Sequence, residues 1–177
     1  MSFYPYTLLP LSMKSKKLYI IRHGKAEEHS FSKEDFDRDL IEKGIARSLL
    51  VAEKIKSKIP QIDERTLFIS STANRAAQTA KIFAQSLGYP AEKIVWEPTI
   101  YEAHYLQILK RLNQVSANYD HVLLFGHNPG LSDLVDYVAD EYINLKTSHV
   151  ACLTLDEGLD YSTLSANTAH LELIIEE

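Results

Sequence analysis

Short unbroken apolar runs alternate along the 177-residue chain with stretches in which apolar residues recur every three or four positions. "KLYII" (17–21), "TLFIS" (66–70) and "HVLLF" (121–125) read as buried strands, and "KIVWE" (93–97) as a weaker one. Helical spacing fills the intervals. Ile45, Leu49, Ala52, Ile55 and Ile59 mark a helix from Glu42 to Ile59, and Ala76, Ala80, Phe83 and Leu87 mark another from Asn74 to Leu87. Gly88 is placed to stop the second helix. A third stripe, Ile108, Leu109, Leu112 and Val115, lies within 106–115. After "HVLLF", Asn128 can cap a fourth helix with Pro129 in its first turn, burying Leu131, Leu134, Val135 and Val138. "HVACLTL" (149–155) and "LELII" (171–175) read as closing strands, free to run antiparallel to the rest. Alternating β and α units predict an α/β fold: one three-layer α/β/α domain around a mixed, mostly parallel sheet.

Composition leaves this expectation standing and narrows the function. A hydrophobic fraction of 45% with 24% charged residues is that of a globular chain, and the length suits one domain over residues 14–177. The net charge of −5 argues against a general nucleic-acid partner, and no apolar run has the length of a membrane span. Cys152, the single cysteine, excludes an intrachain disulfide and a Cys-rich metal site, and agrees with a reducing, cytoplasmic setting. "MSFYPYTLLPLS" has neither the basic start nor the cleavage site of a signal peptide, and a second methionine, Met13, precedes "KSKKLYIIRHG". Residues 1–13 therefore read as an arm, a frayed tail or a start-site artefact outside the domain.

The chemistry gathers where strands end. In open α/β sheets, ligands bind outside the carboxyl ends of the strands. The first strand delivers Arg22, His23 and Gly24, and the second runs through "STANRAAQTA" to place Arg75 at a helix start. The third leads to "IYEAH" with Glu102, and the fourth delivers Gly126, His127, Asn128 and Pro129. Taken singly, each has a bland reading: Arg75 as a solvated helix residue, His127 as a turn residue, Glu102 as a loop acid. Together they describe a phosphate site. Arginine forks bind phosphate oxygens bidentately and keep their charge, and helix N-termini near Asn74 and Asn128 offer free N–H groups to an anion. An imidazole kept neutral by neighbouring cations can attack phosphorus, and Gly24 allows close backbone approach.

Other constellations fail. A cysteine-based phosphatase needs an arginine six residues after its nucleophile, where Cys152 is followed by Gly158; Cys152 itself lies in an apolar strand. There is no H-E-x-x-H, P-loop or G-x-S-x-G motif, and the remaining histidines lack ligand spacing.

"RHG", "SSTANRAAQTA" and "LFGHNPG" together resemble the histidine phosphatase superfamily, also called phosphoglycerate mutase-like, over Lys17 to Ala139. The compact length and the "LYIIRHG…GHNPGL" form are most similar to the small bacterial phosphohistidine phosphatases. The resemblance implies a phosphoglycerate mutase-like fold and phosphoryl transfer through a phosphohistidine on His23. It implies that Arg22, Arg75 and His127 hold the phosphoryl oxygens, that Glu102 stands where the proton donor is often kept, and that Asn128 lines the pocket. No metal and no cofactor are expected. The modest interval between Arg75 and Glu102 leaves no room for the covering insertion of larger mutases, so an open site is expected. An open site suits a phosphorylated protein side chain as substrate. A small phosphoester is the alternative, mutase activity is less favoured, and a non-catalytic phosphate-binding module is a third reading, against which the retained His23 speaks.

Overall fold

The computed structural model describes residues 14–59 and 61–177; the arm assigned to residues 1–13 lies outside the described residues. Six strands, β1 (Lys17–Arg22), β2 (Thr66–Ser70), β3 (Val95–Trp96), β4 (His121–Gly126), β5 (Val150–Leu155) and β6 (Ala169–Ile175), form one sheet in the order β3-β2-β4-β1-β5-β6. Four helices accompany them: α1 (Glu42–Ile55), α2 (Asn74–Leu87), α3 (Tyr105–Leu112) and α4 (Gly130–Ala139).

The unbroken apolar runs are explained by burial on both faces. Leu18 and Ile20 of β1 join Val122 and Leu124 of β4 in a core under α3 and α4. Tyr19, Ile21, Leu123 and Phe125 face the opposite core, with Val51, Ala52 and Ile55 of α1 and Phe83 of α2. A strand covered on both sides has no polar face, hence no alternation. The three layers and the mixed sheet match the sequence expectation. β1, β2, β3 and β4 are mutually parallel. β5 alone is reversed, pairing antiparallel with β1, and β6, antiparallel to β5, resumes the direction of β1.

Two expectations about the helices need correction. α1 ends at Ile55 rather than Ile59, and its buried residues are Gly44, Ser48, Val51, Ala52 and Ile55, while Ile45 and Leu49 are exposed. The inward face begins with small residues because α1 crosses directly over the exit of β1. A Cβ on Gly44 would lie 2.0 Å from the Lys25 carbonyl oxygen, and one on Gly24 would lie 2.7 Å from Ser48 Oγ. Close approach has displaced bulk from that face. α3 ends at Leu112, although Val115 is still buried. α2 has the predicted limits, with Gly88 left-handed at φ 73° and its N–H bonded to the helix's last carbonyls.

The strand order locates the functional end of the sheet. β1 sends its connection through α1 toward β2, whereas its neighbour β4 sends its own through α4 toward β5, on the other side. Between adjacent strands whose connections diverge lies the crevice where open α/β sheets bind ligands.

Candidate active site

β1 and β4 pair in register with Arg22 opposite Gly126, so the next residues of the two strands, His23 and His127, emerge side by side. Their ring centroids are 5.1 Å apart. β2 pairs with β4 through Ser70 and Phe125, which brings Ser71 beside them, and Ser71 Oγ lies 2.8 Å from His127 Nε2. Parallel pairing has therefore converted three separate stretches of sequence into one floor. Arg75, in the first turn of α2, reaches back over it and donates from Nε to His23 Nε2 at 3.3 Å.

A cavity of about 390 Å³ opens above this floor; Arg22, His23, Arg75, Glu102, His127 and Asn128 all line it. A larger groove of about 620 Å³ between the end of α1 and the end of β6 contains none of these groups. Gly24 is the exception among the expected site residues. It lies beneath the cavity against Ser48, and its N–H donates to Thr79 Oγ1.

The buried carbonyl of Gly24 sets the protonation of His23. It can only accept, so His23 Nδ1, 2.7 Å away, bears the proton and Nε2 keeps the lone pair that accepts from Arg75 Nε. The pKa of His23 is lowered to about 4, first by burial and then by the charges of Arg75, Arg22 and Arg38; the Gly24 bond opposes the shift. Cations were the expected cause, yet desolvation is the larger one. His127 is lowered to about 3, again by burial first and next by His23 and Arg75. Both imidazoles are neutral at physiological pH.

Asn128 itself occupies donors at the start of α4. Its Oδ1 accepts from Ser132 N–H and Oγ, while Leu131 and Asp133 N–H groups bond to the His127 and Pro129 carbonyls. The Leu131 and Ser132 N–H groups at α4 are thus occupied, and Arg22, Lys25, Arg38 and Arg75 bring positive charge to the cavity lining. Asn128 Nδ2 also ties the Leu145 carbonyl, the same oxygen that accepts from Arg22 Nη1 at 3.0 Å. Glu102 is exposed at the cavity edge in the left-handed region, with φ 50°. A non-glycine residue held there costs about 1–3 kcal/mol, as it does at Asp140, Ser148 and Asn167 of this chain.

Three neighbours were not singled out from the sequence. Asp35 accepts from Arg75 Nη2 (2.9 Å), Arg38 Nη2 (2.9 Å) and the Tyr101 hydroxyl (2.8 Å), and these partners hold its carboxyl down to about 2 against burial. Arg38 and Tyr101 flank the site through that carboxylate. "EDFDRDL" reads as an ordinary solvated loop, so nothing local announces Asp35 or Arg38; only the fold brings them over Arg75. Arg75 spends three of its five N–H groups on His23 and Asp35, leaving two for a ligand.

Among the described residues, the buried side-chain nitrogens or oxygens without a hydrogen-bond partner are Arg22 Nε, Arg38 Nε and His127 Nδ1, and all three residues line this cavity. No group of three or more His, Cys, Asp or Glu is gathered as metal ligands among those residues. Cys152 is buried and its thiol is pushed up to about 12 by desolvation, as an inert core thiol should be. No helix among them is long and apolar enough to cross a membrane.

Residues 18–128 match the model of the histidine phosphatase superfamily (branch 1). An uncharacterized chloroplastic protein of Arabidopsis thaliana is 27% identical over 154 residues, covering 81% of this chain and 68% of that one. A provisionally assigned phosphohistidine phosphatase SixA from Agrobacterium tumefaciens shares the fold with a TM-score of 0.76 at 24% identity, over 92% of this chain and 98% of that one. The protein histidine phosphatase SixA complexed with tungstate has a TM-score of 0.75 at 21% identity, over 90% and 96% of the two chains.

Proposed function

The chain belongs to the histidine phosphatase superfamily, and from that premise we propose that it is a metal-independent phosphohydrolase that removes the phosphoryl group from phosphohistidine in a protein. One observation supports this most: the unpartnered buried nitrogens of Arg22, Arg38 and His127 surround a single cavity. Buried N–H groups are costly without acceptors, by about 1–3 kcal/mol each, and a tetrahedral oxyanion offers several acceptors at once. Burial and the Arg75 charge both lower the pKa of Arg22, so the two guanidiniums repel across the cup until an anion lies between them.

In the first step the Arg75 Nε–H turns from His23 Nε2 to the anion, and Nε2 forms a bond to phosphorus as the bond from phosphorus to the leaving atom breaks. Arg22, Arg75 and His127 take the equatorial oxygens. The Ala73 N–H donates to Ser71 Oγ, so the Ser71 hydroxyl proton can turn to His127 Nε2 and leave Nδ1–H as a donor to the anion. The leaving atom keeps the electron pair and takes a proton, from Glu102 where it is oxygen. A leaving imidazole departs neutral when its other nitrogen is already protonated. In the second step water attacks phosphorus, the bond to Nε2 breaks, the water proton passes to Glu102, and His23 is restored with release of phosphate.

A protein substrate is favoured over a small phosphoester because the cavity is open and nothing among the described residues closes over it. The likeness to structures described as phosphohistidine phosphatases adds to that preference. A cytoplasmic site of action is part of the proposal, with an organelle interior as the competing location suggested by the chloroplastic relative. The test is turnover of a phosphohistidine peptide beside an aryl phosphate and a phosphoserine peptide. The highest kcat/KM is expected on phosphohistidine. A reversed order would favour small phosphoesters, and stoichiometric binding without turnover would favour a binding module.

A further inference from the structure

Residues 26–40 form a tongue beside the cavity, closed by antiparallel bridges between Ala26 and Leu40 and between Ser30 and Lys33. It is rooted firmly. Lys33 Nζ binds Glu27 Oε2 and Asp39 Oδ2, both at 2.6 Å, while Asp39 Oδ1 accepts from Asn74 and Gln78 of α2, and Asp35 is held by Arg75 and Tyr101. The charges divide into two sets. Glu27, Asp35 and Asp39 are paired inward with Lys33, Arg38 and Arg75, whereas Glu28, Glu34 and Asp37 are exposed with no ion pair among the described residues; Lys25 is exposed at the cavity edge. At the tip, in the turn from Ser30 to Lys33, Phe31 is fully exposed, and Phe36 is partly exposed, edge-on to Tyr101 at 5.2 Å. Glu102 adds a further exposed acid on the cavity edge.

A cationic cavity beside a tongue whose exposed charges are mostly acidic is an odd way to attract a free dianion. The tongue's exposed acids repel it on approach, while a phosphoryl group presented from a basic surface is drawn in by the same charges. A single exposed aromatic residue needs no explanation. One offered at the tip of a rigid platform, among unpaired acids and beside the active site, is a preorganised contact.

We infer that the tongue is a docking surface for a phosphoprotein segment that carries basic residues and an apolar side chain around its phosphorylated histidine, and that it discriminates against small free phosphoesters. This rests on the phosphohistidine activity proposed above. It goes beyond that activity in assigning Glu28, Phe31, Glu34 and Asp37 a part in substrate choice.

The test uses the full chain and three substrates: phosphohistidine peptides with lysine or with glutamate flanks, and an aryl phosphate. At low salt the lysine-flanked peptide should exceed the glutamate-flanked one in kcat/KM by about tenfold, since several exposed charges act together. The gap should close toward unity near 1 M salt, where screening falls to about 3 Å. In the triple variant Glu28→Gln, Glu34→Gln, Asp37→Asn the gap should vanish, with the lysine-flanked peptide losing and the aryl phosphate gaining about twofold at low salt. These opposite signs separate docking from structural damage, which would lower both. Phe31→Ala should raise KM for the peptide several-fold and leave kcat unchanged. Equal kcat/KM for both peptides at every salt concentration, or parallel losses on peptide and aryl phosphate in the triple variant, would overturn the docking assignment while phosphohistidine hydrolysis stands. Turnover of neither peptide would remove the phosphohistidine activity and the docking assignment together.

Discussion

At the scale of single residues, two histidines that look alike in sequence are given different tasks by one atom each. His23 Nδ1 meets a carbonyl that can only accept, and His127 Nε2 meets a hydroxyl that can donate. The first is left with a lone pair on Nε2, which accepts from Arg75, and the second with an N–H to offer. Nitrogen-detected NMR should therefore find both rings neutral at pH 5.5, with His23 carrying its proton on Nδ1, because their pKa values are lowered to about 4 and about 3. Midpoints near the ordinary 6.5 would contradict the burial argument. Glu102 gives a second prediction. An alkoxide leaving group needs a proton that a positioned acid supplies at a typical gain of 10²- to 10⁴-fold, whereas a protonated imidazole leaves with little help. Glu102→Gln should lower kcat on an alkyl phosphate by roughly that factor and on phosphohistidine by far less, measured under saturating conditions. Equal losses on both would remove Glu102 from the proton-donor role.

At the scale of elements, the strands and helices were legible wherever burial has one simple cause. β1, β2 and β4 are covered on both faces, so an unbroken apolar run is all they can be. α2 has its stripe and its glycine stop. α1 was legible as a helix and misread as a face, because apolar spacing carries no information about how close the neighbour lies. Ile45 and Leu49 fit the period but point to solvent, and Gly44 and Ser48 fill the inner position because the Lys25 backbone lies against Gly44 and Gly24 lies against Ser48. A direct consequence concerns Gly44→Ala. In an isolated helix the change would stabilise by about 1 kcal/mol. Here the new methyl would overlap a carbonyl, and overpacking of that kind costs about 1–3 kcal/mol, which outweighs the propensity gain. Chemical denaturation should show a net loss for Gly44→Ala and a change within about 0.5 kcal/mol for the exposed Ile45→Ala. A stabilised Gly44→Ala would show that α1 can move away from the β1 exit at little cost.

At the scale of the whole molecule, strand order assembles the candidate site. His23 and His127 are 104 residues apart in sequence, yet they become neighbours because β1 and β4 are adjacent and in register. The four strand-exit residues Arg22, His23, Arg75 and His127 were legible because their types and the rule about strand ends suffice to bring them together. Asp35, Arg38 and Ser71 were not, since a loop acid, a loop arginine and a serine acquire meaning only from what the fold sets against them. Burying two neutral histidines also makes global stability depend on pH. The unfolded chain binds protons near 6.5, the folded one near 4 and 3, so the stability they confer is complete above 6.5 and is lost as pH falls toward 4. His121 and His149, also lowered by burial, act with the same sign. Each site histidine can account for on the order of 3 kcal/mol across that window. Urea midpoints should drop steadily from pH 7 to pH 4.5, and a flat profile would show that the rings are already charged in the folded state. The central claim is that His23 Nε2 takes up the phosphoryl group, and the most direct measurement is to trap it. The protein is mixed with labelled phosphohistidine peptide, quenched in base within the first turnover, and assayed for bound label. The account predicts near-stoichiometric, base-stable and acid-labile label that is absent from His23→Ala; label that survives acid, or that persists in His23→Ala, would contradict it.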